Sequence, residues 1–244
     1  MLALGIDTSD GVSVALLEDG LVVARAGGTD PRRHAETLAP AVSWVLAEAG
    51  VTATDLDAVA VGTGPAPFTG LRVGLVTARS LVRALGIPAH GVCSLDVLAR
   101  QAFDDLGTRA PRELLVVADA RRREVYSARY APASAADDVD RLTEPTVSAP
   151  ARLREALAAE GPAGDAAAAA AGGEPGGGLG IVGRGAQLFA DALPPVEGGP
   201  VAVDAAVLVR VALHRAAHGG ELDLEPRYLR RPDVTLPTAR KRAS

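Results

Sequence analysis

The stretch Val61 to Ala84, VGTGPAPFTGLRVGLVTARSLVRA, constrains the architecture more than any other part of the chain. A short β-branched run after Asp57 is broken by Gly62, Gly64, Pro65 and Pro67, and from about Thr69 the spacing becomes helical. Leu71, Leu75, Ala78, Val82 and Leu85 fall on one helix face, and Gly70, Gly74 and Ala78 recur every four residues beside them. A glycine inside a helix costs about 1 kcal/mol relative to alanine, so two on one face predict the close approach of another backbone or helix. That neighbour is either the chain's own core or a second chain, and spacing leaves both open. Arg72, Arg79 and Arg83 exclude a membrane span here. A phosphate loop is poorly supported, because no Gly-Lys-Ser/Thr follows and Gly62-x-Gly64 lacks the rest of the dinucleotide fingerprint.

The remaining chain alternates strand and helix signals. Leu2 to Ile6, Val12 to Leu17 and Leu21 to Ala26, joined at Asp10-Gly11 and Asp19-Gly20, predict a three-stranded meander. Thr37 is a candidate cap for a helix that Gly50 ends, with Leu38, Val42, Val45 and Ala49 on one face and Trp44 close to it. A short strand over Pro88 to Val92 precedes a helix expected from Ser94, as its cap, to about Asp104. Leu114 to Asp119, the turn Arg121-Arg122-Arg123 and Glu124 to Tyr130 then repeat the strand, polar turn, strand pattern of the first half. Residues 161–178 include six consecutive alanines and GGEPGGG, and predict a flexible insertion. A strand at Leu179 to Arg184 follows, Gly185 begins a helical pattern, and Asp204 caps a last helix reaching about His218. The tail from Arg227 is basic and is expected to be mobile.

Composition narrows the function classes. The net charge of -5 argues against a stand-alone nucleic-acid binder. A single cysteine, Cys93, excludes an intrachain disulfide and reads as a small buried hydrophobe. No apolar run reaches about 18 residues and no basic leader precedes Asp7, so a cytoplasmic protein is expected. His214 and His218 stand at metal-ligand spacing, without the glutamate of an HExxH site or an evident third ligand. Asp7, Thr8 and Ser9 read either as a phosphate-facing turn or as a turn that caps itself. The triple arginine reads as a solvated turn or as an anion or RNA contact.

The segment GTGPAPFTGLRVG resembles the signature of the bacterial TsaB (YeaZ) family, the dimerisation subunit of the tRNA threonylcarbamoyladenosine system. LGIDTS, His34-Ala35-Glu36-x-Leu38-x-Pro40, GVCSLDVL from Gly91, Asp119-Ala120-Arg121-Arg122-x-Glu124-Val125-Tyr126 and Pro226-x-Tyr228-Leu229-Arg230 match that family in the same order. Ala66 and Pro67 depart from it, where glycine and serine are usual.

The resemblance implies a two-lobed α/β fold of the actin-like ATPase (ASKHA, ribonuclease H-like) class. The expected organisation is an N-terminal lobe at 1–98, a second lobe at 99–204 and a C-terminal helix and tail at 205–244. It implies a noncatalytic subunit that binds and activates the TsaD threonylcarbamoyltransferase, acting with the ATPase TsaE on the adenosine beside the tRNA anticodon. In TsaD a His-x-x-x-His metal motif falls where this chain has Ser94 and Leu98, so no metal and no independent catalysis are expected. The expected contact surface is Leu38, Val42 and Val45 with Gly70, Leu71, Gly74, Leu75 and Ala78, which pairs with TsaD or, when the chain is alone, with a second copy. Asp7, Thr8 and Ser9 are the candidate nucleotide-binding residues, Gly183 to Ala186 a remnant of an adenosine loop. No cofactor is required by the chain, with ATP or ADP expected in the complex. A small-molecule kinase of the same superfold and a metallopeptidase-like protein are the rival readings.

Overall fold

Two Asp-Gly turns set the first sheet. Gly11, Asp19 and Gly20 take φ of 113°, 49° and 81°, and the turns join β1 (Leu2–Asp7), β2 (Val12–Glu18) and β3 (Leu21–Gly28) as an antiparallel meander. α1 (His34–Glu48) crosses to β4 (Ala58–Gly62), and α2 (Phe68–Leu85) to β5 (Ala89–Val92). β4 pairs parallel to β1 and β5 parallel to β4, so the sheet order is β3-β2-β1-β4-β5. The computed structural model describes residues 1–28, 34–135, 137–159, 178–220 and 222–230. The expected insertion up to residue 177 and the tail from residue 231 lie outside them.

The second half repeats this plan. β6 (Glu113–Asp119) and β7 (Val125–Pro132) are an antiparallel hairpin, and β8 (Val139–Arg141) and β9 (Thr146–Ser148) both pair with β7. After α4 (Pro150–Ala159), β10 (Leu179–Val182) returns parallel to β6, as β4 does to β1. A short helix, α5 (Arg184–Leu188), follows.

Strands buried on both faces alternate between two cores, because successive side chains point to opposite sides. Leu4 and Ile6 of β1 join the core under α1 and α2, while Ala3 faces the opposite core. In β6, Leu114 and Val116 face inward to that shared core and Leu115 and Val117 face outward beneath α4 and α5. Two helices fill the space between the sheets: α3 (Ser94–Leu106) and α6 (Ala205–Ala217). α6 starts against β1, where a β-carbon at Gly5 would lie 2.5 Å from the Ala205 carbonyl oxygen. Asp204 caps it as expected, accepting from the Ala206 amide at 2.8 Å.

The glycine spacing of α2 serves the chain's own β1. Thr8 Oγ1 donates to the Gly70 carbonyl at 2.9 Å and accepts from the Gly74 amide at 3.2 Å, inserting between two backbone groups that pair with each other in an ordinary helical turn. A β-carbon at Gly74 would stand 2.5 Å from that oxygen. The close neighbour announced by the glycines is a threonine side chain.

One charged cluster lies inside the shared core. Asp96 of α3 is 1% exposed and accepts from Tyr130 at 2.9 Å, from Arg141 at 2.6 Å and from Arg215 at 2.9 Å. Arg215 also donates to Asp138 at 2.6 Å. The four charges balance, and they join α3, β8, the loop before it and α6. Burial alone would raise the Asp96 pKa, but the hydrogen bonds and charge of Arg141 and Arg215 hold it below its ordinary value.

Several expectations need correction. α1 begins at His34, ahead of the expected cap Thr37. Cys93, not Ser94, is the N-cap of α3, because the Ser94 hydroxyl is committed elsewhere. Pro67 caps α2 without a side-chain hydrogen bond, at the place where the family usually has serine. The lobe boundary expected at residue 98 falls inside α3, and α6 packs back on the first sheet. The tail does not loosen at Arg227, since Gly91 donates to the Leu222 carbonyl, Arg227 to Thr63 and Arg79 to Leu224, at 3.1, 2.9 and 2.7 Å.

Two measurements check this packing. Replacing Asp96 by asparagine leaves two buried guanidinium groups under-compensated, and we expect a loss of about 3 to 5 kcal/mol in chemical denaturation at neutral pH. A depressed carboxylate pKa contributes stability that is complete above its unfolded value, about 3.9, and is lost as pH falls through the lower folded value. The gap between wild type and Asp96→Asn therefore narrows below pH about 4. For Gly74→Leu we expect the isolated protein to lose about 3 kcal/mol or more, because overpacking meets a fixed β1 turn. An unchanged melting temperature would return the glycine face to the second-chain reading.

Candidate functional site

The turn after β1 is where an actin-like fold would meet a phosphate, and here its side chains are turned inward. Asp7 and Thr8 are both buried. One carboxylate oxygen of Asp7 accepts from the Ser9 amide and hydroxyl at 2.8 and 2.5 Å, and the other from the Ser94 hydroxyl at 2.7 Å. That second oxygen lies 1.8 Å from where a β-carbon would sit on Gly62, so glycine at the end of β4 is a steric requirement of the carboxylate. Ser94 Oγ also accepts from the Gly64 amide at 3.2 Å. Asp7, Thr8 and Ser9 thus stand together, with Asp7 bonded to Ser9 and to Ser94 of α3, and Thr8 to the backbone of α2.

Beside them opens a cavity of about 180 Å³ lined by Asp7, Asp10, Gly11, Val12, Ser13, Gly28, Ala202 and Val203. Ligand pockets usually enclose about 300 to 1,000 Å³, and this cavity is smaller. Arg184, from the loop read as an adenosine-loop remnant, reaches across and its Nε pairs with Asp10. Burial pushes the Asp10 pKa up and the Arg184 bond opposes that push. The hairpin and the loop that would hold the two ends of a nucleotide therefore hold each other. A second cavity of about 190 Å³ lies behind Gly183, between Val182, Gln187 and the 195–201 loop.

The eight side chains expected at a subunit contact are placed differently from that expectation. Leu38, Val42 and Val45 of α1 and Leu71, Leu75 and Ala78 of α2 are buried together on the outer face of the first sheet, and Gly70 and Gly74 are buried against Thr8. They cannot meet a partner while the sheet covers them. The outward faces of the same helices carry Trp44, 49% exposed, and Val76, 59% exposed. Val76 escaped the sequence reading although its signal was present, an apolar residue on the Arg72 and Arg79 side of an amphipathic helix.

His214 and His218 have ring centroids 4.3 Å apart, and His218 Nδ1 lies 2.7 Å from the His214 carbonyl oxygen, an interaction internal to the helix end. No group of three metal-ligating side chains occurs among the described residues. Of the two positions that the resemblance sets against the TsaD metal motif, the Ser94 hydroxyl serves Asp7 and Leu98 is buried in the shared core. Burial raises the Cys93 thiol pKa to about 12, which leaves it a hydrophobe at neutral pH. No helix among the described residues is long and apolar enough to cross a membrane.

Comparison with known proteins agrees with this anatomy. The family model described as TsaD, tRNA N6-adenosine threonylcarbamoyltransferase, matches residues 16–190. An uncharacterized protein of Mycobacterium tuberculosis (strain ATCC 25618 / H37Rv) is 40% identical over 234 residues, covering 95% of this chain and 92% of that one. The tRNA threonylcarbamoyladenosine biosynthesis protein TsaB of Escherichia coli (strain K12) is 38% identical over 131 residues, 53% of this chain and 55% of that protein. A Pseudomonas aeruginosa crystal structure, of an uncharacterized protein with similarity to peptidase YEAZ, superposes with TM-score 0.74 at 29% identity over 94% of this chain and 99% of that one. YeaZ from Pseudomonas aeruginosa gives TM-score 0.73 at 27% identity, over 93% and 99%. With its duplicated sheet plan, its inward-turned hairpin and its ordered family motifs, the chain belongs to the threonylcarbamoyltransferase-related family and, within it, to the TsaB (YeaZ) group.

Proposed function

We propose that this chain is a noncatalytic subunit that binds and activates a TsaD-type threonylcarbamoyltransferase for the formation of threonylcarbamoyladenosine beside the tRNA anticodon. The observation that carries this reading is the fate of the two metal-ligand positions. Ser94 is a structural hydroxyl on Asp7 and Leu98 is core, so neither offers a donor to a metal that would orient a threonylcarbamoyl group. Within this reading the chain needs no cofactor of its own, and ATP or ADP belongs to the assembled complex with a TsaE-type ATPase in the cytoplasm. A small-molecule kinase activity would need Asp7 and the cleft free for nucleotide and metal, and both are engaged by Ser9, Ser94 and Arg184. Tight magnesium-dependent ATP binding by the isolated chain would revive it.

The surface assigned to the partner is the outer face of α1 and α2, centred on Trp44 and Val76. An exposed tryptophan between short side chains, Ala39, Pro40, Ser43 and Ala47, is poorly accounted for by the monomer, and tryptophan is among the commonest hot-spot residues of interfaces. The same face pairs two copies when the catalytic partner is missing. Light scattering behind size exclusion should show a homodimer of this chain that gives way to a mixed complex when the TsaD-type protein of the same organism is added. Trp44→Ala or Val76→Glu should weaken that complex by about 2 kcal/mol or more, without lowering the melting temperature, since both side chains point to solvent. A monomer indifferent to the partner would remove the subunit reading.

A further inference from the structure

At the tip of the β6–β7 hairpin, Arg121, Arg122 and Arg123 follow one another in the left-handed region, with φ of 63°, 53° and 62°. That region is unfavourable for any residue with a β-carbon, and glycine is its usual occupant. Three consecutive arginines persist there only because the surroundings hold them. Asp119 accepts from the Arg121 amide at 2.7 Å and pairs with its guanidinium at 2.9 Å. Across the turn the Ala120 amide donates to the Glu124 carbonyl and the Glu124 amide to the Arg121 carbonyl, both at 3.0 Å. Arg230 clamps the far side, donating to the Ala120 carbonyl at 3.2 Å and pairing with the Glu124 carboxylate. All three arginines of the turn are exposed. Local backbone stability alone does not select them, and a fixed outward display of guanidinium groups gives such a turn a use.

The ridge continues into an aromatic step. Two residues before Arg230, the Tyr228 ring lies 5.0 Å from Phe68, and the Arg72 guanidinium stacks 3.6 Å over Phe68 while its Nε donates to the Tyr228 hydroxyl at 3.1 Å. Arg121, Arg122, Arg123 and Arg230, with Arg72 at Tyr228, stand here against the carboxylates of Asp119, Glu124 and the nearby Asp10, in a chain whose net charge is -5. Positive charge is gathered at one edge of an acidic protein. Rigid guanidinium groups match phosphate oxygens, and an exposed ring braced by arginine accepts a stacked base. We propose that the Arg121–Arg123 ridge, with Arg230 and the Tyr228 ring, is a contact surface for the sugar-phosphate backbone of tRNA. The choice of tRNA among polyanions rests on the subunit reading above; the surface itself does not.

The test separates the display of charge from the support of the fold. Glycine accepts the left-handed backbone, so Arg122→Gly/Arg123→Gly should leave the melting temperature unchanged or raised while weakening binding of the chain to a fluorescent, unmodified substrate tRNA about tenfold or more, and should lower the slope of log affinity against log salt by roughly 1 to 2. Arg152→Ala/Arg154→Ala on exposed α4 removes the same charge and should leave affinity within about twofold. The proposal is overturned if the wild-type chain shows no tRNA binding at about 50 mM salt, where phosphate contacts are strong, if the glycine variant binds like wild type, or if the α4 control loses as much. It is also overturned if the glycine variant keeps its tRNA affinity and instead loses the complex with the catalytic partner, which would make the ridge a protein contact. Binding is read on the chain alone, so a failure of the partner assay leaves this result standing by itself.

Discussion

Asp7 and Thr8 end β1 with a buried carboxylate and a buried hydroxyl, and such groups persist in a protein interior only when their hydrogen bonds are made there. Ser94 and Ser9 satisfy the first, and the Gly70 carbonyl and Gly74 amide the second. These bonds place the first turns of α2 and the start of α3, and the end of β4 approaches the same carboxylate closely at Gly62. A larger residue at Gly62 or Gly74 would collide with the very atoms that anchor the turn. Here the polar atoms are bonded inside, and the turn is the joint of the first lobe.

That joint has a consequence for the surface. Because Gly70, Gly74 and the leucines beside them are drawn onto β1 and β4, α2 turns Arg72, Val76 and Arg79 outward, and α1 beside it turns out Trp44. The inner face is fixed by packing and the outer face is left to be selected by something else. A partner that covered Trp44 and Val76 would remove apolar area that the monomer exposes. The edge strand β3 adds Leu21, 75% exposed, with Val22 and Val23.

The sequence made the architecture readable where local rules are strong. The Asp-Gly turns, the Gly/Pro break before α2, the Asp204 cap and the repeated strand-turn-strand pattern each have one dominant local cause, and each stands in the structure. The sites were less legible because a helix stripe does not say what lies against it. Gly70-x-x-x-Gly74 announced a close neighbour correctly, but a threonine sixty-odd residues away in the chain could fill that role as well as a second helix, and only tertiary packing decides. Asp96 was visible as a charge between apolar residues, yet its partners Arg141 and Arg215 come from β8 and α6, distances that periodicity cannot bridge. Arg184 was read as part of a nucleotide loop, and its pairing with Asp10 depends on how the two halves of the duplication face each other.

The segment from Leu222 to Arg230 connects these features into one mechanical path. It is bonded to Gly91 and Thr63 at the ends of β5 and β4, to Arg79 and Arg72 on α2, and to Ala120 and Glu124 in the second lobe. A β-carbon at Gly91 would lie 1.9 Å from the Asp223 carbonyl, so the strap is seated on backbone and cannot ride up without breaking its own bonds. Arg72 and Arg79 on the outer side of α2 hold the strap, whose end holds the arginine turn. Rigid packed elements transmit small displacements because they have few other ways to yield. The outer face of α2 and the β6–β7 turn are thus joined through side chains that touch in sequence.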